Sequence, residues 1–83
     1  MTSNTVTDTL LAAIAAGAYR PAAQTEEIRD STLAEISNIL RSVAEIRKDA
    51  EATRDTQAAA CFFTEALLHE TRASNLIALL ALL

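Results

Sequence analysis

Apolar positions in this chain recur at helical spacing and not at the alternation of a strand. Val6, Leu10, Leu11, Ile14 and Ala18 repeat three and four residues apart near the start, and Ile36, Ile39, Val43 and Ile46 do so in the middle. That spacing lines one face of an α-helix. Gly17 and Pro21 are the single glycine and single proline, and the run from Ala22 to Leu83 contains neither. As the strongest local breakers, they divide the chain into a short N-terminal piece, a joint and a long helix-compatible body.

Local signals place the helix ends. Met1 to Asn4 reads as a frayed polar end, and Thr5-Val6-Thr7-Asp8 resembles a capping box. The first helix is therefore expected over about 7–16, closed by Gly17 as a left-handed cap. Proline suits a first helical turn, where its missing N–H would be unpaired anyway. The second helix is expected from about 22 to 51, with Glu26 and Glu27 complementing its dipole. A second start signal, Thr32-Leu33-Ala34-Glu35, lies inside it.

Ile36 with Val43, and Ile39 with Ile46, stand seven apart and form two heptads of a seam, flanked by Leu33 and Leu40. The frame then fades through Ala50, Thr53, Gln57 and Ala60. Arg41 with Glu45, Arg47 with Glu51, and Glu45 with Lys48 are expected as surface pairs along the outer face. Positions 48–57 are the most polar window, so a bend belongs there, with Asp55 or Thr56 capping a third helix over about 56–82. The alternative is one helix of about 60 residues, roughly 90 Å long, a length rare in globular proteins. The expected architecture is a single all-α domain over 1–83: a short helix, then two longer ones in an antiparallel hairpin, assembled as an oligomeric bundle.

Assembly is expected because of the C-terminal stretch. Leu76 to Leu83 has large aliphatic side chains on every face of a helix. Such a helix must be covered by protein or lipid. A membrane span needs about 20 apolar residues, and extending this stretch backward meets Arg72, Glu70, His69 and Glu65. No membrane span is expected. A chain of 83 residues has little surface to sheathe such a tail by itself, so Ile36, Ile39, Val43, Ile46, Phe62, Leu76, Ile77, Leu79, Leu80 and Leu83 are expected to form an oligomer or partner interface.

Composition narrows the function classes. Hydrophobic residues are 51% but aromatics only 4%, so alanine and leucine supply the apolar mass, which favours helices over sheets. The formal charge of −4 and the lack of a basic patch argue against nucleic-acid binding. Cys61 is the single cysteine, which rules out a disulfide within the chain and fits a reducing, cytoplasmic setting. Leu10 to Ala16 followed by Ala16-Gly17-Ala18 faintly suggests a signal peptide, but no Lys or Arg precedes it and Asp8 does. Six arginines against one lysine, with abundant alanine, suit a GC-rich bacterial or phage genome.

Candidate chemistry is sparse. Tyr19 and Arg20 precede the second helix, and an aromatic ring, a guanidinium and unpaired N–H groups are the parts of a phosphate or nucleotide site. Glu26 and Glu27 would oppose an anion there. The competing expectation packs Tyr19 on the third helix and pairs Arg20 with an acid. Cys61, Glu65 and His69 are zinc-competent residue types at steps of four. Positions eight apart stand about 12 Å apart along the axis, so no metal is expected; Cys61 is expected to be buried as a small hydrophobe and Glu65 to pair with His69. No nucleophile–base–orienter set is available, so neither catalysis nor a cofactor is expected. The leading expectation is a self-associating phage or bacterial accessory factor that binds a host protein. The alternatives are an oligomeric sponge for a nucleotide-type signal and a scaffold docking through its C-terminal helix.

Overall fold

The computed structural model of the chain describes residues 2–83, with side chains from Thr5 onward. Helix α1 spans Thr2–Ala16, a 3₁₀ turn covers Gly17–Tyr19, α2 spans Ala22–Ala52 and α3 spans Thr56–Leu80. Among the described residues there is no strand. Helices α2 and α3 form the antiparallel hairpin, and α1 lies against both near the hairpin's open end.

The breaks follow from local chemistry. Gly17 closes α1 at φ +56°, the left-handed conformation that a glycine adopts without strain. Thr53 leaves the helical region and its N–H donates to Ala50 O (3.3 Å). Asp55 then restarts the helix, its carboxylate accepting from the Gln57 N–H (3.0 Å). The body is therefore bent into two helices and not one continuous rod.

One local expectation is corrected, and one competing signal is overridden. Helix α1 begins at Thr2, so Thr5–Asp8 lies inside the helix and not at its cap, and residues 2–4 are helical. Once a helix is nucleated, each added residue gains a hydrogen bond for two dihedrals fixed, and Thr, Ser and Asn cost too little to stop it. The frayed end expected at Met1 lies outside the described residues. The start signal at Thr32 is also overridden. Thr32 is buried inside α2, and its hydroxyl donates to Ile28 O at 2.8 Å, so the side chain is satisfied without a break.

The core lies along the hairpin seam. Ile28, Ile36, Ile39 and Val43 from α2 meet Ala66, Ala73 and Leu76 from α3, with Leu10 and Ala13 of α1 closing one end. Ala66 and Ala73 are each only 1% exposed. Their methyl side chains let branched residues from α2 sit close to the α3 backbone, and burying each such residue is worth about 1.5–3 kcal/mol. The C-terminal tail is sheltered on one side by this seam. Leu76 is buried and Leu79, Leu80 and Leu83 are half-buried, whereas Ile77 and Leu82 are exposed.

Ala73→Leu forces a larger side chain into the closed seam and is expected to cost about 1–3 kcal/mol by urea denaturation. Ala78→Leu, on the exposed side of the same helix, is expected to leave the midpoint nearly unchanged. Gly17→Ala meets no atom within 4 Å, so its expected cost, about 1–2 kcal/mol, comes from the left-handed backbone alone.

Candidate functional site

Arg20 occupies the joint where the ends of all three helices converge. Its Nε donates to Thr25 Oγ1 (2.7 Å), one terminal nitrogen donates to Ala13 O, and the other donates to Leu83 O (2.6 Å). Ala13 O belongs to the last turn of α1, where carbonyls lack helical partners. Carbonyls at helix C-terminal ends also carry the negative pole of the dipole, so a guanidinium is well matched to them. Thr25 in turn donates to Pro21 O (3.1 Å). Arg20 therefore ties the end of α1, the first turn of α2 and the last residue together.

This arrangement differs from the packed joint expected as the alternative to a ligand site. Arg20 pairs with carbonyls and a hydroxyl and not with an acid, while Tyr19 is 94% exposed and does not pack on α3. Arg20 also borders an open cavity of about 640 Å³ with Ala22, Ala23, Thr25, Glu26 and Arg29, and Glu26 stands in its wall.

The other candidate chemistry is dispersed. Cys61 is exposed and not buried as expected. His69 stands 3.9 Å from Glu65, and among the described residues no three His, Cys, Asp or Glu side chains gather as a metal-binding group. A groove of about 360 Å³ lies between α1 and α2, lined by Thr5, Val6, Thr9, Gln24, Glu27, Ile28, Ser31 and Thr32. Its walls carry hydroxyls, one amide and one carboxylate, with no base or nucleophile set.

The expected interface residues separate into three groups. Ile36, Ile39, Val43 and Leu76 are buried in the chain's own seam, leaving little surface for a partner. Ile46, Phe62, Leu79, Leu80 and Leu83 are half-buried, and Ile77 alone of the set is exposed. The surface pairs expected along α2 also resolve differently. Arg47 binds Glu70 across the hairpin, and Arg72 binds Glu35 at 2.6 Å.

Those two bridges define the hairpin's two faces. At about 100° per residue, Glu35 and Arg47 fall on opposite flanks of the α2 seam. Helix α1 covers the Glu35 flank, because Gln24, Ile28 and Ser31, which line the groove against α1, project to that side. The Arg47 flank is open. It carries Leu33 and Leu40 on α2 and Phe63, Leu67 and Ile77 on α3, all between 44% and 60% exposed. Leu33 and Leu40 stand seven apart, and Phe63 and Leu67 four apart, offset from the seam. That offset is the sequence signal for a second stripe.

Arg20→Ala is expected to cost about 1–2 kcal/mol, since three part-buried acceptors lose their donor at once. Tyr19→Ala, at a fully open position, is expected to stay within about 0.5 kcal/mol of the parent. Denaturant melts check both, and hydrogen exchange should show faster opening of α1 in Arg20→Ala only.

No helix among the described residues is long and apolar enough to cross a membrane. Comparison with known proteins finds no matching family, no similar curated protein and no similar solved structure.

Proposed function

We propose that this chain is a small, non-enzymatic helical interaction protein that works by self-association. The observation carrying this reading is the open stripe of Leu33, Leu40, Phe63, Leu67 and Ile77 on the Arg47 face. Scattered surface leucines need no explanation, but five half-exposed apolar side chains on one face of two helices mark an interaction surface.

The molecule's shape adds support. Its radius of gyration is 15.7 Å, against about 12 Å for a compact domain of this length. It exposes 5777 Å², about a fifth more than a compact monomer of its mass is expected to show. A second helical layer on the open face would cover that excess. Leu68 and Leu82, on the back of α3, and Tyr19 at the joint would remain outside this layer for a protein partner.

Sedimentation velocity over a hundredfold concentration range tests the reading. The expected result is a mass of at least two chains at the upper end. Leu67→Glu is expected to weaken association at least tenfold, about 1.4 kcal/mol, with helix content by circular dichroism unchanged. A single-chain mass throughout would overturn self-association.

A further inference from the structure

We infer that the partner on the open face is a second copy of this chain, related by a two-fold axis that passes beside Leu40 at right angles to the helices. This inference rests on self-association and adds the face, the orientation and the residue at the axis.

The cross-hairpin bridges set the relative height of the two helices. Arg47 reaches Glu70 and Arg72 reaches Glu35. The two bridges lean in opposite directions, and their mean places position 41 of α2 near the height of position 71 of α3, and hence Leu40 near that of Arg72. On α3 the exposed pair Leu67 and Ile77 is also centred on position 72. Leu40 and the centre of the Leu67–Ile77 pair therefore lie at about the same height. A two-fold at that height lays α2 antiparallel on its own copy and α3 antiparallel on its own copy. Leu40 then meets Leu40, and Leu67 meets Ile77 of the second chain. Phe63 meets Ala81, a large residue against a small one.

Charge placement agrees with this axis. Arg29 and Glu51 lie on the same flank of α2, eleven positions to either side of Leu40. Both are exposed, and neither appears in an ion pair among the described residues. The two-fold brings Arg29 of one chain opposite Glu51 of the other. Within one chain the same two residues are about 33 Å apart along the helix, too far to pair. The size of the face is adequate as well. With extents of 53 × 21 × 16 Å, the broad side exceeds the ~800 Å² that each partner contributes to a stable interface.

Cysteine cross-linking tests the axis in full-length chains carrying Cys61→Ser. Leu40→Cys is expected to give a disulfide-linked dimer on mild oxidation. Leu33→Cys and Leu68→Cys should not link to themselves. Mixed Leu67→Cys and Ile77→Cys chains should link to each other in preference to themselves. In a second arm, Arg29→Glu is expected to weaken the dimer several-fold, and Arg29→Glu with Glu51→Arg to restore it, an effect no contact within one chain can produce. A dimer that links through Leu68→Cys, or through mixed Leu33→Cys and Ile77→Cys chains, would overturn this axis while leaving self-association standing. A single-chain mass for the Cys61→Ser parent would overturn both.

Discussion

Two helices lying side by side can shelter one stripe of each other, and α2 and α3 each carry two. The seam stripe is covered because α3 offers alanine where α2 offers branched residues. Ala66 and Ala73 are almost completely buried, and Ile36, Ile39 and Val43 fill the space they leave. The second stripe has no such partner. Among the described residues helix α1 is the one other α-helix, and it covers the Glu35 flank near the open end. The open apolar face thus follows from having three helices and four helical stripes.

The position of α1 depends on a short-range signal and a long-range one. Gly17 turns the chain, and Arg20 then holds the turn by binding the end of α1 and the end of the chain together. An arginine is suited to this because its planar fork donates along several directions at once, whereas a lysine concentrates its charge at one point. The same fork draws Leu83 toward the joint. Beside that contact, Leu79, Leu80 and Leu83 are half-buried against the core.

The parts of the fold set by local chemistry were legible in the sequence. Gly17, Pro21 and Asp55 mark the joint and the bend through backbone rules that act over a few residues. The seam on α2 was legible because isoleucine and valine stand out at heptad spacing. Its counterpart on α3 was obscured, although Ala59, Phe62, Ala66, His69, Ala73, Leu76, Leu80 and Leu83 keep a strict alternation of three and four. Alanine reads as a helix former in sequence, and its role as a space left for a neighbour emerges with that neighbour present. The role of Arg20 was hidden for a related reason, since its contact with Leu83 spans 63 positions. The tail's need for cover was legible. Which side the chain covers itself depends on the rotation of α3, which no local signal states.

That rotation is set at the loop. Asp55 fixes the first turn of α3 by binding the Gln57 N–H, and Thr53 fixes the last turn of α2 through its hydroxyl on Asp49 O (2.8 Å). One residue inserted into the first turn of α3, after the Asp55 cap, would turn every later side chain by about 100° relative to that cap and shift it about 1.5 Å. Ala66 and Ala73 would leave the seam, and bulkier neighbours would enter it. The same turn would separate Leu67 and Ile77 from the flank that carries Leu33 and Leu40. The phase of α3 relative to Asp55 therefore sets two surfaces together: the seam that closes the hairpin, and the open face that carries Phe63, Leu67 and Ile77 beside Leu33 and Leu40.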